Sequence, residues 1–470
     1  MKNTLRRSLL ASTAGLLMAV SAQAGSSTWT VPTEYPSDST GPWPDWNDAS
    51  HWAGGIIPNG VSDVATFDAL ISRLNFRITD FTAGAANPGE ATTITLGGLV
   101  HTGAGRLDTR PYGPISTIVW NNGASNAFIN DTFNGELLLA HNHVLTSTIE
   151  IPKGGGQTRL QRVISGPGGI ILSGAQEFVL GETGTPNTFT GGFTILDTSR
   201  LDLRKHEALG VGPLTFASTS TTGTLTPRGA WAGALANAIV VEAGGVARIR
   251  EESNSSPREF SGAFSGGGAL ILQPKNSLWK FTGENTITGG MAVQGNGTAD
   301  VAFGVEGVFN TASSIELSNA AVLHITSENV IDDTIPVTLD AASVFNVATS
   351  QNEGLASGAL TVGGAVIDDG TYDNNETWIV GDGTVTVGVG SVAFAITDFS
   401  LVGDVITLTW NSRPNVNYIL KYTPDMTDWL SDVSDSIIGG PGAQTTISFD
   451  LSEHGIDINL FDELFFRMEK

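Results

Sequence analysis

The chain has 470 residues, no cysteine, 58 glycines, 15% charged residues and a formal net charge of −24. The lack of cysteine excludes disulfides, zinc–thiolate sites, iron–sulfur clusters and cysteine nucleophiles together. The acidic balance argues against nucleic acid and anionic lipid as partners, because both would repel the chain, and the length points to several domains or to a solenoid that grows by adding coils.

Lys2, Arg6 and Arg7 precede an apolar stretch over 9–20 that ends at Ala22-Gln23-Ala24. This predicts a secretory signal peptide over 1–24, cleaved near Ala24. The exported chain would then have 446 residues and a net charge of −27. No later segment approaches the roughly 20 uninterrupted apolar residues of a spanning helix, so no transmembrane segment is expected in the mature chain.

Residues 25–90 read as an N-terminal cap region. Four of the ten tryptophans, Trp29, Trp43, Trp46 and Trp52, crowd here among prolines and glycines. An aromatic lid would cover the strand edges that a terminal coil leaves open. The alternative is a platform on which sugar rings stack.

Over 91–392 short runs such as Thr93-Ile94-Thr95-Leu96, Ser116-Thr117-Ile118-Val119 and Leu270-Ile271-Leu272 alternate between glycine- and asparagine-rich punctuation. Period two predicts strands with one buried face. The glycines suit corners where φ turns positive, and no long amphipathic helix interrupts the pattern. A parallel β-helix is the expected fold, with roughly 20 residues per coil, a rise of about 4.8 Å and some 15 coils in a rod near 70 Å long. Asn187-Thr188-Phe189-Thr190-Gly191-Gly192 returns 98 residues later as Asn285-Thr286-Ile287-Thr288-Gly289-Gly290. At that coil length the offset would be about five coils.

The run from Ile164-Ser165-Gly166-Pro167-Gly168-Gly169 through Asn187-Thr188-Phe189-Thr190-Gly191-Gly192 to Ala208-Leu209-Gly210-Val211-Gly212 resembles the autotransporter-associated β-strand repeat. The second copy departs from it, with Ile287 in place of the aromatic and no Ala-Leu-Gly close. Trp46-Asn47-Asp48-Ala49-Ser50-His51-Trp52 and Gly381-Asp382-Gly383-Thr384-Val385 are similar to segments of such exported proteins. The resemblance implies a right-handed β-helix, released or held at the outer surface of a Gram-negative-type bacterium and noncatalytic in this segment. It brings no catalytic residue. After the solenoid there is no room for the membrane β-barrel of autotransporters, so self-translocation is not expected.

Residues 393–470 read as a separate antiparallel β-sandwich, similar to terminal fibronectin-like modules. Ile406, Leu408 and Trp410 share one strand face, as do Tyr418, Leu420 and Tyr422, and residues 464–468 read as the final strand. With 12 acidic and 4 basic residues the module should be well solvated. A sorting or surface-attachment role is the expectation.

No set of residues makes a catalytic or metal constellation, and no cofactor is expected. Asp332 with Asp333, and Asp368, Asp369, Asp373 and Glu376, are the carboxylate clusters that glycoside hydrolysis or calcium binding would need. Turn chemistry explains both more simply. His141 and His143 fall on one strand face, but two histidines with no third ligand nearby read as an exposed pair and not as a metal site. Gly210-Val211-Gly212 and Gly381-Asp382-Gly383 lack the following helix of a nucleotide cradle and read as corners. Arg159 and Arg162, and Arg248 and Arg250 with Glu251 and Glu252, read first as solvated faces, and the i, i+2 arginines of the second group could present a comb to anionic glycans. The expected role is therefore that of a structural or adhesive protein. An extracellular polysaccharide or a cell-surface component is the expected partner class, with polysaccharide binding or cleavage as the alternative. The sequence carries no signal for an oligomeric state.

Overall fold

The computed structural model is described over residues 25–30, 44–68, 73–78, 90–102, 106–109, 115–131, 136–182, 184–229, 231–252, 257–275, 278–283, 285–295, 299–303, 311–327, 330–388, 396–411, 417–423, 431–432, 437–438, 444–454, 456 and 465–469. The expected signal peptide, Trp43 and the turn that Pro424-Asp425 predicts over 424–429 lie outside them. The chain forms two compact units, Met1–Asp300 and Val301–Lys470. The division falls inside the stretch read from sequence as one solenoid.

The first unit is a three-sided parallel β-solenoid. One coil runs from a strand of the third side, such as Asn142–Leu145, to one of the first side, Ile149–Lys153, and then to one of the second side, Gln157–Leu160, before the next coil begins at Ile164–Ser165. The first side has eleven strands, from Ser27–Thr28 to Thr286–Ile287. Coil-to-coil partners such as Glu150, Ile171, Thr194, Thr215, Val240, Ser265 and Thr286 lie 21 to 25 residues apart. The earlier steps from Val64 to Gly98 and from Gly98 to Phe128 are longer, at 34 and 30 residues. Coils are thus longer and fewer than 20-residue spacing predicts, because their corners carry more than a minimal turn.

Alternation sets the core. In Thr117–Trp120, Ile118 and Trp120 point inward while Thr117 and Val119 remain partly exposed. In-register stacking repeats each inward position coil after coil. Ile149, Ile170, Phe193, Leu214, Ile239 and Phe264 form one such column, none of them more than 1% exposed. Each fully buried side chain of this size contributes about 1.5–3 kcal/mol, and no coil can bury its face without its neighbours.

The aromatic cluster closes the start of this unit. Trp29, Trp46, Trp52, Phe67 and Phe76 are all buried, with Trp52 edge-on to both Trp29 and Trp46. Trp52 Nε1 donates to Trp46 O and Trp46 Nε1 donates to Pro58 O. The alternative of a sugar platform fails for these residues, since their ring faces are covered by one another.

The second unit has parallel strands Ser314–Ser318, Val337–Leu339 and Leu360–Val362 on one side, with Ala321–Ile325, Val344–Val347 and Ile379–Gly381 on another. Its C-terminal part is antiparallel. Ile396–Val402, Val405–Asn411 and Gln444–Asp450 form one sheet, and Asn417–Thr423 pairs with Phe465–Glu469 in the other. Ile406, Leu408 and Trp410 from the first sheet share one buried cluster with Tyr418, Leu420 and Ile437 from the second. The terminal module is therefore a small β-sandwich, as the two alternating faces predicted.

Candidate functional site

A broad, open groove of ≈ 730 Å³ lies on the second side of the first unit. Its floor is one outward register column. Gln157 pairs with Glu177, Glu177 with Arg200, Arg200 with Thr224 and Thr224 with Arg248 in successive coils. Ala175, Gln176, Thr198 and Thr222, at the preceding corner, form its wall. Outward positions of a solenoid are free to be polar because the residues between them, such as Phe178, Leu201 and Leu225, hold the core.

Most charges around the groove are matched within the chain. Gln157 Nε2 donates to Glu177 Oε1 at 2.7 Å. Arg200 holds Glu252 through two 2.8 Å bonds, the parallel geometry that guanidinium and carboxylate favour. Arg228 NH2 donates to the same Glu252 at 3.0 Å, and Arg159 bonds Gln157 and, at 3.0 Å, Glu182. Beneath them lies Asp202, with no exposed surface and with Arg228 Nε 2.6 Å from its Oδ2. Burial pushes this carboxyl up to about 6, and the charges of Arg228 and Arg204 hold it from rising further. Arg248 differs from the other groove arginine in one respect: Arg200 is paired with Glu252, whereas no carboxylate pairs with Arg248 among the described residues.

A second polar assembly lies inside the first side. His101, Asp131 and Lys153, on three successive coils, are all buried. His101 Nδ1 donates to Asp131 Oδ1 at 2.9 Å and Lys153 Nζ donates to Asp131 Oδ2 at 2.7 Å. Burial opposes ionisation of Asp131, but the His101 hydrogen bond and the Lys153 charge outweigh it and hold the carboxyl below its usual range. Nothing in the spacing of 30 and 22 residues between these three marks them in sequence; only the coil lengths bring them together.

The histidine pair is a correction. His141 and His143 are buried, not exposed. They point into the core at the start of the third-side strand Asn142–Leu145, where Trp120, on the neighbouring strand, lies parallel to His143. Trp120 Nε1 donates to His143 Nδ1, leaving Nε2 to donate to Leu139 O. Desolvation lowers His143 to about 3; it also lowers His141 to about 4, with Arg162 adding to the effect there. Both are neutral core side chains. Glu251 is a second correction, since it is fully buried in an ion pair with Arg258, whose guanidinium lies 4.9 Å above the Trp231 ring, and is no part of a solvated face. Arg250 is exposed.

The carboxylate clusters take part in turns. Asp332 Oδ1 accepts from the amide and hydroxyl of Thr334. Asp373 Oδ1 accepts from the amide and side chain of Asn375, and Asp368 O accepts from the Tyr372 hydroxyl. Asp333 is buried. The repeated motif also serves corners: Asn187 accepts from Ile164 N and donates to Ala208 O, and Asn285 accepts from Phe264 N.

No protein-family model, curated protein or solved structure matches this chain.

Proposed function

We propose that this protein is a noncatalytic β-solenoid that works outside the cell in a structural or adhesive role. One observation supports this above the rest: polar side chains on the coils are matched mainly to one another, as in the Arg200–Glu252–Arg228 and Arg159–Glu182 pairings, and not arranged around a vacant reaction centre. Glycoside hydrolysis needs two carboxylates facing each other across a bond, whereas Asp332 and Asp373 hold turns. The alternating strands, the signal-like N-terminus and the resemblance to autotransporter-associated repeats favour export. Immunogold labelling of intact cells tests the reading. Label on the outer surface or in the surrounding matrix is the expected result; label confined to the cell interior would refute it.

The flank groove favours a second reading, in which the adhesive surface binds polysaccharide without turning it over. Its polar floor crosses five coils and is open to an extended ligand.

A further inference from the structure

Resting on the carbohydrate-binding reading, we infer that the groove selects polysaccharides that carry carboxylates, with Arg248 as the residue that recognises the uronate. The floor presents Gln157, Glu177, Arg200, Thr224 and Arg248 at successive coils, so hydrogen-bonding groups recur about every 4.8 Å along the stacking direction. That interval is close to the length of one pyranose unit in an extended chain. A glycan laid across the coils can therefore meet one polar side chain per sugar.

The column is not uniform, and its asymmetry supplies the selectivity. At one end Gln157 and Glu177 are bonded to each other, which leaves amide and carboxylate groups suited to sugar hydroxyls. In the middle Arg200 is held by both oxygens of Glu252 and is neutralised. Thr224 donates its hydroxyl proton to Thr222 O, leaving its lone pairs available to the groove. Beyond it stands Arg248, whose next neighbour in register is Ile271. No carboxylate of the described residues pairs with it, and the side chain is partly exposed.

A partly exposed guanidinium with no carboxylate partner can take a planar carboxylate in bidentate fashion through its terminal N–H groups. A neutral glycan can offer it only uncharged hydroxyl and ring oxygens, which form the weaker, single hydrogen bonds. A uronate polymer fits because its charges are spread at one per sugar and its hydroxyls serve the remaining positions.

Affinity electrophoresis of the full chain in gels containing polygalacturonate, or the same polymer with its carboxyls reduced to alcohols, tests this. Polygalacturonate should retard the protein with a Kd at least tenfold lower than the reduced polymer, and the difference should shrink as salt rises. Arg248→Gln should bring polygalacturonate binding to the level of the reduced polymer, and Arg248→Lys should lose part of it, while Arg250→Gln, outside the groove, stays within twofold of wild type. All three should keep the wild-type circular dichroism spectrum and melting temperature. Should Arg248→Gln misfold, Arg248→Lys carries the comparison. Equal binding of both polymers, or wild-type affinity in the Arg248 variants, overturns the inference and leaves glycan binding in place. Binding of neither polymer overturns the inference as well, and the wider polysaccharide panel then decides the glycan reading separately.

Discussion

Asn187 shows what the conspicuous polar residues of this chain do. Its side chain spans two coil-to-coil junctions, accepting from Ile164 N at 2.9 Å and donating to Ala208 O at 2.7 Å. Truncating it strands both backbone groups in a buried site, so Asn187→Ala should lose about 2–4 kcal/mol. Asn126→Ala, which removes an exposed bond to Glu150, should stay within about 0.5 kcal/mol. Urea midpoints of the two variants check this. The buried histidines make a prediction about acid. His141 and His143 titrate at about 4 and about 3 when folded, against an ordinary value near 6.5. Between these limits the unfolded chain binds protons that the folded chain refuses, so their contribution is complete above pH 6.5 and is lost as pH falls toward 3. Asp202, raised to about 6, acts in the opposite sense, because its folded form takes up a proton first and gains stability as pH falls below 6. The net slope is the sum, but the histidine part is separable: His141→Gln with His143→Gln should reduce the loss of urea resistance between pH 7 and pH 4.5. An unchanged loss would show that the pair is not held neutral.

The repeated Asn-Thr-x-Thr-Gly-Gly segment is one device used at two different corners. Asn285 bonds to Phe264, and Phe264 shares its register column with Phe193, yet Asn187 lies six residues before Phe193. The first copy therefore leads from the third side into the first-side strand Phe193–Ile195, and the second leads from Thr286–Ile287 into the second-side strand Gly290–Gln294. The 98-residue offset is four coils and one corner, not five coils. Its glycines are needed where two coils touch. A Cβ at Gly191 would enter the backbone of Gly168 and Gly169, and Gly192 has φ +77°. Gly191→Ala should destabilise by about 1–3 kcal/mol, as overpacking does. Gly154→Ala, where a Cβ meets nothing within 4 Å, should be neutral or slightly stabilising. Equal melting temperatures for the two variants would contradict the close-contact account.

Strand alternation and corner composition made the solenoid, the aromatic cap and the terminal sandwich legible before any coordinates, because these depend on period-two burial and on glycine and asparagine at turns. Coil length was not legible, since surface corners tolerate insertions without altering the inward pattern. Everything that depends on coil length was hidden with it. His101, Asp131 and Lys153 share one buried column, and Gln157 to Arg248 line one groove, only because particular coils have particular lengths. The burial of His141 and His143 is hidden for a related reason: alternation places both on one face without saying which face is inside. Stability across the first unit rests on neighbouring coils, so a lesion such as Gly191→Ala should be felt most by the coils that touch it.

The central claim is that this surface holds without cutting. Incubation of the full chain with a panel of plant and algal polysaccharides tests it most directly: the account predicts retention on at least one polymer, with no release of reducing ends or unsaturated products, and the appearance of either product in step with protein concentration would contradict it.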